Sequence, residues 1–347
     1  MKVELTMVQQ DQHQSDQSAQ EIPVTISKEE LRELSRVNSL HGAVHVLAEW
    51  SLIFAAIYAC QHFWTPLLYV ATVVWIGSRQ HALMILMHDG VHYRLFRGRF
   101  FNEWVSEIVL SWPVLISARA YRRNHFAHHR YLNTENDPDW ARRQGDPSWV
   151  FPKSPAELSR MLLQQLTGPG AIGLMRLAAR LVSKDAGMTR RFIVARYSFY
   201  LAVVGVLLYF GSARLVVYYW FIPLFTWLIF IFRIRSIAEH SAVESKKHFY
   251  AQTRTTLPSF LERIFVAPKN VNYHLEHHLY PSVPFYRLPK LHTLLASKPE
   301  FQGAHVTQTY LGVLRECIED APLPSMAAGT AKLAGFTLQP SSGGASQ

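Results

Sequence analysis

The chain is poor in charge and in cysteine. Asp, Glu, Lys and Arg make up 17% of its 347 residues and apolar residues 49%, against about 25% charged in an average soluble protein. Such a deficit argues against a wholly soluble chain and for a membrane protein with a polar cap. The two cysteines, Cys60 and Cys317, exclude a disulfide framework, a four-cysteine zinc site and an iron–sulfur or rubredoxin-type centre. Any electrons the chain uses must therefore arrive from elsewhere. No Lys/Arg tract interleaved with stacking aromatics is present, so the formal charge of +10 is read as a partner for an anionic bilayer face and not for nucleic acid. The HExxH of metalloproteases is also missing.

What is present is apolar and segmented. Residues 1–26, rich in Gln, Asp and Ser, lack the basic start, apolar run and cleavage site of a signal peptide, and are expected to form an uncleaved disordered tail. A second loose tail is expected over 323–347, leaving 27–322 as the folded domain. Ser27 with Glu30 three residues later forms a capping box that opens a short helix through Leu31 and Leu34, expected at the membrane surface. Four apolar segments follow, at about 46–63, 64–87, 192–210 and 215–232. They pair around Thr65-Pro66 and around Gly211-Ser212-Ala213-Arg214, which predicts two helical hairpins that span a bilayer. The tips carry only Arg214, so the positive-inside rule puts both termini and the central loop in the cytoplasm. Phe101–Ala118, interrupted by Glu103, Glu107 and Pro113, is too short to span and is expected to be interfacial or re-entrant. Amphipathic surface helices are expected around Leu158–Leu166 and Leu174–Leu181. Glu49, Arg79 and Arg196 are the few ionisable residues of the spans, read near their ends; a metal transporter would need such groups at mid-membrane.

Seventeen histidines are the other excess. They concentrate in His88-Asp89-Gly90-Val91-His92, His125-Phe126-Ala127-His128-His129 and His274-Leu275-Glu276-His277-His278. Positions i, i+3 and i+4 share a helix face, so each HxxHH is expected to point three imidazoles at one place and HxxxH two. Neutral imidazole is a good ligand for iron, copper or zinc. At this histidine frequency a given HxxHH arises by chance about 0.04 times per sequence, and there are two. His88 follows the second apolar segment and His240 the fourth, so both face the same side, and His125 and its companions reach that side only if Phe101–Ala118 does not cross. His81 is read as a packed residue, and His41, His45, His62, His248, His292 and His305 as structural or surface residues. Arg119, Arg122 and Arg123 are read as part of a positive membrane face.

HDGVH, NHFAHHRYLNTENDPD and YHLEHHLYP, in this order around two hydrophobic hairpins, resemble the histidine boxes of the membrane fatty acid desaturase and hydroxylase superfamily. The likeness covers roughly Ala43 to His292. It implies an all-α membrane fold of four spans under a cytoplasmic helical cap, with a non-haem di-iron site and O2 as co-substrate. It also implies nine metal ligands that are equally the catalytic residues: His88, His92, His125, His128, His129, His240, His274, His277 and His278. In some members an Asn four residues before the ligand after the fourth helix holds a metal-bound water; Ser236 stands there in this chain. Asp89, Asp137, Asp139, Glu239 and Glu276 lie near enough in sequence to orient imidazole rings.

Breaking an unactivated methylene C–H bond needs a strong oxidant that no side chain supplies by itself. Removal of two hydrogens leaves a double bond, whereas return of oxygen to the carbon gives an alcohol. HDGVH and HLEHHLYP look more like bacterial and acyl-lipid desaturases, which favours desaturation of a lipid- or thioester-linked acyl chain in a bacterial inner membrane. The alternative is a hydroxylase or ketolase of an acyl chain, carotenoid or other hydrophobic substrate, and a remote one is a non-enzymatic metal carrier. No fused His-Pro-Gly-Gly cytochrome is present, so a separate ferredoxin-like or cytochrome-like donor is implied.

Overall fold

A computed structural model describes residues 26–168, 170–173, 190–243 and 251–318. Four stretches, Lys28–His62, Pro66–Val91, Arg190–Tyr209 and Ala213–His240, are long and apolar enough to cross a membrane. Both predicted hairpins are therefore there. The expected tails fall outside the described residues except for Ile26, which is buried, and so does the expected amphipathic helix at Leu174–Leu181.

The first short helix, α1 (Lys28–Leu34), has the predicted capping box, with Glu30 N donating to Ser27 Oγ and Ser27 N to Glu30 Oε2. Its Leu34 does not simply rest on a membrane surface: it is buried with Leu275, Leu279 and Leu291 in the core of the cap. The first spanning helix, α2 (Ser39–His62), starts seven residues earlier than expected because Asn38 caps it, accepting from Leu40 N and His41 N. The second, α3 (Pro66–Val91), opens on Thr65 as cap and Pro66 in its first turn, where a missing N–H costs nothing.

Helix α3 is the centre of the bundle. In its most apolar window 67% of residues are buried, against 11% in α8 (Arg190–Tyr209), whose Leu201, Val204, Val206 and Leu208 face outward. Small residues let neighbours approach α3 closely. A Cβ on Gly77 would lie 2.9 Å from Trp227 Cβ, and one on Gly90 would lie 1.9 Å from Ser106 Oγ. Gly90 of the first histidine motif is thus fixed by packing.

Phe101–Ala118 forms no continuous span. It breaks into α4 (Arg99–Trp104), a wide π turn at Val105–Ser111 and a 3-10 turn at Trp112–Val114, ending on Leu115 at φ 64°. This broken element packs on α3 and delivers the chain to α5 (Ala118–Tyr131), bearer of the second motif. Short helices α6 (Pro138–Arg143) and α7 (Pro155–Leu163) follow. The fourth span is segmented into α9 (Ala213–Val216), a π turn at Val217–Phe221, α10 (Ile222–Phe225) and α11 (Trp227–His240). Pro223 lacks the N–H that would bond the carbonyl of Tyr219, within the π turn just before it, and the helix breaks again at Thr226, whose φ of −124° and ψ of −85° are not helical.

The cap adds one feature that was not expected, a parallel pair of three-residue strands, β1 (Thr255–Leu257) and β2 (Val306–Gln308). Around it stand α12 (Phe260–Phe265), α13 (His274–Leu279), α14 (Leu288–Ala296) and α15 (Tyr310–Glu316). Buried ion pairs tie cap to spans. Glu49 of α2 meets Arg79 of α3 at 3.3 Å and Lys269 of the cap at 2.6 Å. Arg254, fully buried, donates to the carbonyls of Ala238, Ser241 and Ala242 at the end of α11 and pairs with Glu316 at 2.8 Å. It satisfies the last carbonyls of the helix that presents His240. His305, read from the sequence as structural or surface, takes the structural role, buried beside Arg254 and Glu316.

Candidate metal centre

Each histidine motif is held in place by a buried polar contact. For α5 the contact is Glu107, whose carboxylate accepts from Arg119 N at 2.7 Å, Ser117 Oγ at 3.2 Å and Trp112 Nε1 at 3.0 Å. A carboxylate at a helix start complements its free N–H groups. Burial raises the Glu107 pKa, and the Arg119 N–H bond works against that rise. For the end of α3 it is Asp89, which accepts from Phe285 N at 2.8 Å and so fastens the first motif to the segment after the third. For α13 it is Glu276, bonded to Thr255 Oγ1 and His292 Nδ1, both at 2.5 Å.

These elements bring all nine predicted histidines together, in two groups. His88, His92, His125, His129 and His277 form one; His128, His240, His274 and His278 form the other. Within each group the ligand atoms lie within 4.8 Å of one another. The expectation that an HxxHH points three rings at one place is corrected. On α5, His125 and His129 share a face and join the first group while His128 goes to the second; on α13, His274 and His278 pair in the second and His277 crosses to the first. Residues i and i+4 stay aligned on a helix, whereas i+3 lies about 60° away, so one short helix can serve two neighbouring groups. His92 is also not on α3, as expected, but is the residue just past its end.

The spacing of the donors fits metal. Nε2–Nε2 separations are 2.9 Å for His92–His125, 3.0 Å for His125–His129 and His129–His277, 2.8 Å for His240–His274 and 3.0 Å for His274–His278. Metal–imidazole bonds of about 2.0–2.1 Å at right angles leave neighbouring nitrogens about 3 Å apart. With Nε2 turned inward, Nδ1 is free for an orienting partner. Asp137 holds His128 Nδ1 at 2.9 and 3.0 Å, and Glu239 lies 3.3 Å from His274 Nδ1. Burial opposes ionisation of Asp137, but the bonds from His128, Asn133 N and Asp139 N outweigh it and lower its pKa. Asp89 is 3.7 Å from His88 Nδ1, too long for a hydrogen bond. Asp139 and Glu276 do not orient cluster rings: Asp139 pairs with Arg142, and Glu276 with His292.

Burial, reinforced by neighbouring imidazoles, lowers the pKa of His125, His277, His274 and His278 well below the usual histidine range. Burial and then Arg94 take His92 to about 3. These rings are neutral at pH 7, the state that binds metal. Two contacts escaped sequence reasoning. The Tyr121 hydroxyl lies 3.4 Å from His125 Nδ1, and Arg235 pairs with Glu239 at 2.5 Å. Both are spaced i,i+4 from a motif residue or its neighbour, and that spacing was the available signal. His81 is fully buried, as expected of a packed residue, and Arg119 and Arg122 lie near Glu103 and over Phe192 and Tyr93.

A cavity of about 170 Å³ opens onto both groups, touching His88 and His125 of the first and His128, His240 and His274 of the second. Its other walls include Met84, Met87, Leu224, Leu228 and Phe232, with Ser236 one turn before His240.

Four apolar helices capped by nine converging imidazoles define a multi-pass membrane protein with a histidine-rich centre fit for metal. The family model for fatty acid desaturase matches residues 62–310, and the chain belongs to that family. It is 27% identical over 292 residues to a dihydrorhizobitoxine desaturase of Bradyrhizobium elkanii, which covers 80% of this chain and 82% of that protein. It is 26% identical over 255 residues to a beta-carotene ketolase of Paracoccus sp. (strain N81106 / MBIC 01143), covering 72% and 87%. With fatty acid desaturase 3 of Homo sapiens it shares 26% identity over 281 residues, 73% of this chain but only 60% of the human protein.

Proposed function

We propose that this protein is an oxygen-dependent desaturase that introduces a double bond into a fatty acyl chain, lipid- or thioester-linked, with two irons held by the nine histidines. The observation that carries this reading is the apolar-walled cavity open to both histidine groups. Overall, a CH2–CH2 unit, O2, two electrons and two protons give a CH=CH unit and two waters. The irons supply the oxidising power that side chains lack. The chain's own residues do the rest. Asp137 and Glu239 fix the orientation of His128 and His274, and Tyr121 borders His125. Met84, Met87, Leu224 and Leu228 hold an apolar segment against the centre and keep water out. In this reading the electrons come from a separate ferredoxin-like or cytochrome-like protein, and 27–322 is the catalytic domain. The histidine face and both termini are cytoplasmic at a bacterial inner membrane, as the single Arg214 at the hairpin tips supports.

A second reading, hydroxylation or ketolation of a hydrophobic substrate, is favoured by the match to a ketolase along 87% of that protein's length. Lipid profiling of a host that expresses the chain beside His128→Ala and His277→Ala variants separates the two. A new double bond made only by the intact chain is expected, with both variants inserted but inactive. A new alcohol or ketone would favour the second reading, and full turnover by either variant would overturn both.

A further inference from the structure

The cavity has an open end and a closed one. At the open end α6 contributes Arg142 and Asp139, whose side chains are 40% and 33% exposed. Glu239, next to His240 at the end of α11, lies within electrostatic reach of the same helix. At the other end the walls are Leu228 near the start of α11, Leu224 of α10 and Val114 of the 3-10 turn. These three form one buried cluster, 3%, 1% and 3% exposed. From His240 back to Leu228 is about 18 Å at 1.5 Å per residue. The closed end is braced from outside. A Cβ on Gly77 would lie 2.9 Å from Trp227 Cβ and 3.1 Å from Leu228 N, so α3 and α11 are in contact at this level. Trp220 packs on the cluster without lining the cavity. Its Nε1 donates to Pro113 O at 2.7 Å, its carbonyl accepts from Gln80 Nε2 at 3.0 Å, and its ring stacks on Trp50 at 5.3 Å.

Building on the desaturase reading of the same cavity, we infer that Leu228, flanked by Leu224 and Val114, is the floor that stops the substrate's tail and so selects the length of apolar chain the site accepts. His240 stands toward the open end, so a tail can extend only toward Leu228. The distance between the two is the reach of an extended chain of about fourteen carbons. Met84 and Met87 on the side wall are unbranched and adapt to the course of a chain. Leu228 is branched and held against Gly77 and its own cluster, and a wall packed to crystal density does not make room for one more methylene. A methylene too many in a fitted apolar pocket costs about tenfold or more.

The test is equilibrium binding of straight-chain primary alcohols, from octanol to octadecanol, to the full chain in neutral-lipid nanodiscs. Wild type is compared with Leu228→Ala, Leu228→Phe and, as a control, Leu201→Ala on the outward face of α8. Comparing proteins for each alcohol cancels partition of the probe into lipid. Wild-type binding, relative to that partition, should hold up to about fourteen carbons and drop about tenfold beyond. Leu228→Ala opens space at the floor and should move the drop about two carbons longer. Leu228→Phe should move it to shorter alcohols, and Leu201→Ala should leave it in place. If only one of the two Leu228 variants assembles, the direction of its shift still decides. No drop in wild type, a drop at the same length in every protein, or a control that shifts with the variants would overturn the inference. So would an equal loss at every length, which would assign Leu228 to packing alone. Because binding is read without turnover, an inactive wild type would count against the desaturase reading alone.

Discussion

Asp137 shows how a single residue serves the centre. Its carboxylate is nearly inaccessible and meets the imidazole of His128 while also accepting two backbone N–H bonds, from Asn133 and Asp139. A carboxylate on the outer nitrogen of a ligand ring fixes its tautomer and raises its basicity, and losing such a partner typically costs about 10–100-fold in metal affinity. Asp137→Asn keeps the shape and loses the charge. It should therefore leave the helical circular dichroism intact and lower metal retention in the group of His128, His240, His274 and His278 about tenfold, as read by competition with a chelator. Retention equal to wild type would remove that role from Asp137. The pairing was partly legible, because an acid nine residues after His128 was a natural candidate. Asp139 and Glu276 were equally natural and turned elsewhere, since partner choice depends on which chain lies opposite: Arg142 for one, Thr255 and His292 for the other.

At the scale of elements, the centre depends on breaks as much as on helices. The π and 3-10 turns between Val105 and Val114 fold the third apolar stretch back before it can cross, and Glu107 then starts α5 at the correct place. Gly90 allows this stretch to lie against α3, because a larger side chain would drive into Ser106. Gly90→Val should displace the broken element and both histidines flanking it, His88 and His92. The expected result is loss of assembled protein or a fall in stability of about 1–3 kcal/mol, the usual cost of overpacking, measured by thermal unfolding of detergent-solubilised protein. Wild-type stability and metal content in this variant would contradict the packing account. Pro113 and two glutamates signalled the interruption in the sequence; the wide π geometry was not legible, because it follows from how α3 and α4 share space.

For the whole molecule, a centre of buried neutral imidazoles makes stability depend on pH. In the unfolded chain these rings take up protons below about 6.5, whereas in the folded protein His92 does so only near 3, and His125, His274, His277 and His278 remain well below the usual range. Below pH 6.5 the unfolded state therefore binds more protons, so stability is full above that pH and falls as pH drops toward 3. Each unit of difference in a single ring corresponds to about 1.4 kcal/mol. Metal-free protein should melt at a clearly lower temperature at pH 5 than at pH 7.5. A melting temperature that is level or rising across this range would show that the rings are protonated in the folded state.

Read alone, the sequence determined the two hairpins, the interrupted third apolar stretch and the nine histidines, because hydropathy runs and i, i+3, i+4 spacing are local properties of the chain. The tertiary structure decided what no local property contains. It sorted the histidines into five and four by setting α5 and α13 face to face. It drew His305 and Arg254 into the interior to close the end of α11, and packed Leu34 beneath the third motif. It paired Arg142 with Asp139 and, among the described residues, left the neighbouring Arg143 with no carboxylate within 4.0 Å. Each of these outcomes depends on groups far apart in sequence competing for the same few ångströms, and only the folded chain fixes which of them meet.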